Sequence, residues 1–186
     1  MLAYVFWHFR KYEVNSEAYE TRLTRFHEVL NAQKPSGFIR SYIFRFPRID
    51  WLPSQVEVYE DWYILENSAA LDVLNVAAIS SPCQQAHDQA ANQVAEGKAG
   101  LFRLRVGKSQ LEYTPFVYWL AKPEGMIYDD FFAILSPWTS QEQASLWGRQ
   151  MVLGPTPEFC LRAPEPLNLP ERFEIIDYNP ELIWSQ

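Results

Sequence analysis

Apolar residues occupy both parities at the start of the chain. A strand with one solvated face alternates apolar with polar positions. In AYVFWHFRK, residues 3–11, Val5, Trp7 and Phe9 fill one parity, and Tyr4, Phe6, His8 and Arg10 fill the other. Aromatic and β-branched residues favour a strand, yet neither face of this one suits open water. The wholly apolar set, Val5, Trp7 and Phe9, is assigned to a helix-covered face. The mixed set is assigned to the wall of an enclosed pocket.

The period then changes. Asn15 or Ser16 can cap a helix, and Tyr19, Leu23, Phe26 and Leu30 follow at spacings of 4, 3 and 4, one apolar helical stripe. PSG at 35–37 ends it. FIRSYIFRF, 38–46, is a second strand, and PRIDWLPS is a loop carrying an exposed Trp51. VEVYEDWYIL, 56–65, is a third strand. Asn67 or Ser68 caps the next helix, which SSP at 80–82 interrupts and which resumes to about Glu96. GLFRLRV, 100–106, is a fourth strand. The order βαββαβ is the split βαβ, or ferredoxin-like, plan: an antiparallel sheet with both helices on one face.

The second part resembles a reduced copy of the first. A shift of 112 residues sets Tyr4, Val5, Phe6 and Trp7 against Phe116, Val117, Tyr118 and Trp119, and Tyr19, Leu23 and Phe26 against Phe131, Leu135 and Trp138. SLWGRQMVL, EFCLRA and FEIIDY supply three more strands. PEPLNLPER, between the last two, is too short and proline-rich for a second helix. A bare apolar sheet face would be a large sticky patch, so a second sheet must cover the first. The expected fold is α+β: tandem ferredoxin-like units, residues 1–110 and a reduced unit at 111–186, with antiparallel sheets stacked as an α/β barrel around an aromatic cavity.

Composition narrows the function classes. Hydrophobic residues make up 48% of the 186, enough for a sizeable core. The net charge of −7 disfavours a nucleic-acid or anionic-membrane partner. All of that charge falls after residue 110: residues 1–110 carry twelve cations and twelve anions, and residues 111–186 carry four and eleven. No signal peptide or membrane span is evident. Cys83 and Cys160, far apart, are expected to be free thiols in a reducing, cytoplasmic setting.

In a cavity lined by rings and a few polar groups, rings supply contact area and polar groups fix orientation. His8 is the candidate catalytic residue, because an imidazole titrates near neutrality. Phe6, Arg10, Arg40, Tyr42, Trp62 and Arg103 are candidate ligand-binding residues. His27 falls on the polar flank of the first helix, and His87 is a helix-packing residue. Three histidines without paired spacing predict no metal site. No phosphate-binding glycine loop and no nucleophile elbow is present.

VEVYEDWYILENSAALDVLNVAA, 56–78, with an acidic residue two before Trp62, a capping Asn/Ser and an Ala-Leu helix start, resembles the strand–helix junction of the antibiotic-biosynthesis-monooxygenase-like dimeric α/β-barrel superfamily. Members often carry a histidine in this helix; LNVAAIS has none. The resemblance implies a small-molecule-binding barrel and a cofactor-independent oxygenase acting on a small aromatic or polyketide-like compound, and allows a homodimer. The alternative is a non-catalytic ligand-binding or assembly protein.

Overall fold

The structure is a computed structural model that describes residues 1–150 and 154–186. Residues 1–107 fold as β1 (Leu2–Arg10), α1 (Ser16–Gln33), β2 (Phe38–Phe46), β3 (Val58–Leu65), α2 (Ala69–Ala78), α3 (Gln84–Ala91) and β4 (Val94–Gly107). Then come β5 (Phe116–Leu120), α4 (Tyr128–Thr139), β6 (Ser145–Arg149), β7 (Phe159–Ala163), β8 (Ile175–Tyr178) and β9 (Glu181–Ser185). Asn15 caps α1 through its side-chain oxygen, which accepts from Ala18 N. The predicted Tyr19, Leu23, Phe26 and Leu30 are all on the buried stripe of α1. No helix among the described residues is long and apolar enough to cross a membrane.

All nine strands join one antiparallel sheet in the order β8-β5-β7-β6-β4-β1-β3-β2-β9. The first four strands have the ferredoxin-like order β4-β1-β3-β2. The later strands continue the sheet because β6 pairs with β4. The sheet curls. Tyr178, at the end of β8, packs edge-on to Phe46 at 5.5 Å and to Trp51 at 5.9 Å, and its hydroxyl accepts from Asp50 N.

The face assignment of β1 has to be reversed. Val5, Trp7 and Phe9 point into the concave interior of the curled sheet, and Tyr4, Phe6 and His8 point toward the helices. The interior is packed rather than hollow. Trp7, Trp62, Trp119 and Trp147 are completely buried there, with Trp7–Trp119 at 5.7 Å and Trp62–Trp147 at 5.3 Å, both edge-to-face. Each such pair adds about 0.5–1.5 kcal/mol beyond burial. A strand buried on both sides explains why neither parity of β1 is polar. Trp51, expected to be exposed, is buried against Trp7 and Trp119.

Two further expectations change. The second helix does not run to Glu96: α3 ends at Ala91, and β4 begins at Val94. Gly97 and Gly100 disfavour a helix, and both pair with β1; the Phe6 ring crowds the place of a Cβ at Gly97, and the Phe102 ring that of one at Gly100. The strand β9 was not anticipated; it adds to the free edge of β2. The end of SLWGRQMVL, residues 151–153, lies outside the described residues.

One ion pair sits in the aromatic interior. Arg162 Nη1 on β7 donates to Glu60 Oε1 on β3 at 3.2 Å, and both residues are fully buried. The Trp7 and Trp62 indoles donate to Glu60 at 2.7 and 2.6 Å. The Arg162 guanidinium lies 4.0 Å from the Phe44 ring centroid. Burial pushes the Glu60 carboxyl up, against Arg162 and the two indoles, and it pushes the Arg162 guanidinium down, against Glu60. Breaking such a pair from one side strands a buried charge and costs about 3–5 kcal/mol. Glu60→Gln is therefore expected to lose stability in that range. The double variant Glu60→Gln, Arg162→Leu should lose clearly less than the sum of the two single changes. Urea unfolding of the four proteins measures the coupling, and additive losses would show that the pair does not link β3 to β7.

Candidate functional site

A cavity of about 660 Å³ lies between the sheet and helices α1–α3. Its aromatic wall is Tyr4, Phe6, Phe26 and Tyr63, and α2 and α3 supply leucines and alanines. Opposite Phe6 and His8 on β4 stand Ala99 and Gly97, both exposed and outside the cavity lining, to which β4 contributes Val94. A Cβ at Gly97 would stand 2.5 Å from the Phe6 ring.

Asp61 on β3 forms the polar floor. Its Oδ2 lies 3.1 Å from His8 Nε2 and 3.4 Å from His27 Nε2, and it accepts from the Tyr63 hydroxyl at 3.2 Å. Each histidine is held from behind. Tyr19 Oη is 2.6 Å from His8 Nδ1, and Ser41 Oγ is 2.8 Å from His27 Nδ1. Burial, then the Asp61 charge, pushes the Tyr19 phenol well above its ordinary value. Among the described residues only the Tyr63 hydroxyl donates to Oδ2 with hydrogen-bond geometry, and His8 Nε2 stands beside that oxygen without a hydrogen-bond partner. Asp61 Oδ1 is buried at the cavity wall and has no hydrogen-bond partner among the described residues.

Burial alone would raise the Asp61 carboxyl, but His8 and His27 beside it outweigh that. The carboxyl is held below the ordinary carboxylate range. A buried acceptor that stays ionised can hold a donor well, but it is a weak base.

Of the predicted site residues, the structure brings together only His8 and Phe6 at this cavity. Arg10, expected to flank His8 as a cation, bonds Glu57 at 3.1 Å and the Val14 carbonyl at 2.7 Å; the charged neighbour of His8 is the carboxylate of Asp61. Tyr42 and Trp62 belong to the opposite face of the sheet. The Tyr42 hydroxyl donates to Glu112 at 2.7 Å, with Arg40 Nη1 3.8 Å from the same carboxylate. Arg103 is exposed and bonds Gln150. For Tyr42 and Trp62 the cause is the reversed parity of β1: they share the interior with Trp7, not a face with His8.

Asp61, His27, Tyr19 and Tyr63 were not anticipated as site residues. Expected on a polar flank, His27 is completely buried. Its position four residues after Leu23 on the apolar stripe was the available signal. For Asp61 the signal was the Glu60-Asp61 step inside an otherwise apolar strand. His87 does reach the cavity, where its ring is edge-on to Phe26 at 5.5 Å. Among the described residues, no group of three or more His, Cys, Asp and Glu is arranged to hold a metal ion.

The curled antiparallel sheet with helices on its convex face defines an α+β architecture shared with solved structures. An anthrone oxidase-like protein superposes with a TM-score of 0.53 at 8% identity, covering 88% of this chain and 73% of that one. A "putative monooxygenase" from Lactobacillus acidophilus NCFM superposes with a TM-score of 0.51 at 10% identity, covering 87% and 74%. At these identities the likeness is one of fold. No protein-family model and no curated protein matches the chain.

Two outcomes test this geometry. A depressed carboxyl contributes stability that is full above its unfolded value, about pH 4, and that is lost as pH falls toward its folded value. Asp61→Asn is expected to cost on the order of 3 kcal/mol at pH 7. That difference from the native protein should shrink steadily as pH drops below about 4. Urea midpoints across pH measure it, and a pH-independent difference would remove the ionised Asp61 from the account. Gly97→Ala forces the Phe6 ring to move and should lower the uptake of a cavity-filling aromatic probe more than it lowers stability. Titrating the probe against both proteins, alongside their melting curves, decides it.

Proposed function

We propose that the helix-side cavity binds a small planar aromatic compound through a hydroxyl that donates to Asp61. The observation that carries this reading is Asp61 Oδ1, an ionised, buried acceptor with no protein donor among the described residues, set at the wall of a cavity otherwise lined mainly by rings and aliphatic side chains. An unmet buried acceptor is costly, and a ligand hydroxyl removes that cost. Rings above it supply most of the contact area. His8 and His27 act as positioning residues that hold Asp61 Oδ2 and keep the carboxyl ionised.

An enzymatic reading adds one step. The two fold neighbours, an anthrone oxidase-like protein and a "putative monooxygenase", favour it. A ring-activated methylene group reacts with one dioxygen molecule: both of its hydrogens leave with one oxygen atom as water, and the other oxygen atom stays on the carbon as a carbonyl. His8, whose Nε2 has no hydrogen-bond partner among the described residues, accepts the carbon-bound proton there and later returns it to the departing water. No cofactor enters this scheme.

The fold itself supports a tandem reading. The order β8-β5-β7-β6 repeats β4-β1-β3-β2 element for element, and α4 follows β5 as α1 follows β1. The 112-residue shift pairs buried Tyr19 and Leu23 with buried Phe131 and Leu135. On this reading the second unit covers the concave face within one chain, which a second subunit would otherwise do.

The test compares 4-ethylphenol with 4-ethylanisole, which has the same ring but no donor. Calorimetric titration is expected to show the phenol binding at least about tenfold tighter, since a site built for a hydroxyl strongly rejects the analogue that lacks it. Equal affinity, or no binding by the folded protein, would remove this reading. Under the enzymatic reading, His8→Gln lowers oxygen-consuming turnover by about 10²–10⁴-fold. If only binding occurs, the native protein consumes no oxygen.

A further inference from the structure

The charges around the cavity limit the ligand further, and this inference rests on the phenol-binding reading above. Each wall contributes a known set of ionisable groups. His8 comes from β1, Asp61 from β3, Asp72 from α2 and His87 from α3; the lining residues of α1, Leu23 and Phe26, are apolar. No lysine or arginine lines the cavity among the described residues. The nearest predicted cation, Arg10, is turned to Glu57 and the Val14 carbonyl.

The two carboxylates differ in exposure. Asp61 is buried on the floor with Oδ1 unmet. Asp72 is exposed in the first turn of α2, at the rim. Across the rim, His87 Nδ1 lies 3.1 Å from Asp88, a third carboxylate. An anionic ligand would shed its water and find no lysine or arginine to replace it. It would also meet the field of two carboxylates that line its path.

We infer that the cavity selects a phenol bearing an aliphatic amine, with the hydroxyl on Asp61 and the ammonium at Asp72, and rejects phenols bearing a carboxylate. The amine contribution is modest because Asp72 is solvated, and exposed ion pairs are weak and screened by salt. The rejection of anions is the larger effect because it acts along the whole wall.

Three probes with one ring separate these effects: tyramine, 4-ethylphenol and 4-hydroxyphenylacetate. Each is titrated calorimetrically into the native protein and into Asp72→Asn, with circular dichroism to confirm that both are folded. Tyramine is expected to bind about two- to fivefold tighter than 4-ethylphenol, and 4-hydroxyphenylacetate at least about tenfold weaker. Asp72→Asn should erase the tyramine advantage and leave the 4-ethylphenol affinity within about twofold. Added salt should shrink the tyramine advantage in the native protein. Overturning results are 4-hydroxyphenylacetate binding as tightly as 4-ethylphenol, or a tyramine preference that survives Asp72→Asn; either would leave the phenol site standing. Failure of all three probes to bind folded protein would overturn the phenol site and this inference with it.

Discussion

Two adjacent carboxylates on β3 are buried on opposite sides of one sheet, and each must be met by partners from elsewhere. Glu60 faces the concave interior, and Asp61 faces the helices. Both are at most 2% exposed. A carboxylate taken out of water without partners costs far more than a domain's net stability. Glu60 therefore needs Arg162, supplied from β7, and two indoles. Asp61 needs two histidines and a tyrosine, supplied by β1, α1 and β3 itself. The first set draws the later strands onto the first four. The second draws α1 onto β1 and β3. One dipeptide thus fixes the packing of both layers.

The two layers meet this demand differently. In the interior the space around Glu60 is filled by tryptophans, so its ion pair is sealed. On the helix side, small residues line the hollow: Ala78 on α2 and Ala90 and Ala91 on α3. The floor around Asp61 therefore stays hollow. The roof is thin as well. Helix α2 has ten residues, and Val73 and Val76 on it are exposed. A short helix with part of its apolar surface in water is held less firmly than α1.

The sequence reading reached the α+β class and the βαββαβ order, but it set the ring-lined cavity between the sheets, where the interior is packed; the hollow with His8 and Phe6 lies on the helix side. The class and the order followed from periods of 2 and 3.6 and from caps such as Asn15. Facing was not legible, because a strand buried on both sides gives no polar parity to mark the outside. The wholly apolar set on β1 went inward because the curled sheet makes its concave side the driest place in the molecule. That single inversion separated His8 and Phe6 from Tyr42 and Trp62, which face the concave interior. Asp61 was not anticipated. Its buried role depends on His27, which lies 34 residues earlier and reaches it only through tertiary packing.

On the tandem reading, the register shows why one half carries chemistry and the other does not. Phe6 pairs with Asp61 across β1 and β3, and Tyr118 pairs with Leu161 across β5 and β7. His8 corresponds to Leu120 by the 112-residue shift. The places of His8 and Asp61 are thus held by leucines, and Leu120 and Leu161 are buried with Phe131 and Leu135 of α4 in one apolar cluster. With no buried carboxylate to satisfy, that half needs no polar network to order its floor. The interior shows the complementary exchange. Trp7 pairs with Glu60, and Trp119 with Cys160; Val5 pairs with Trp62, and Val117 with Arg162. The carboxylate is kept on one side, and the guanidinium stands one pair along on the other. A symmetric pair of units would place two carboxylates or two guanidiniums in one dry interior, each repelling its copy. Divergence of the two halves allows a single ion pair to lock them, and it confines the hollow, polar floor to the first.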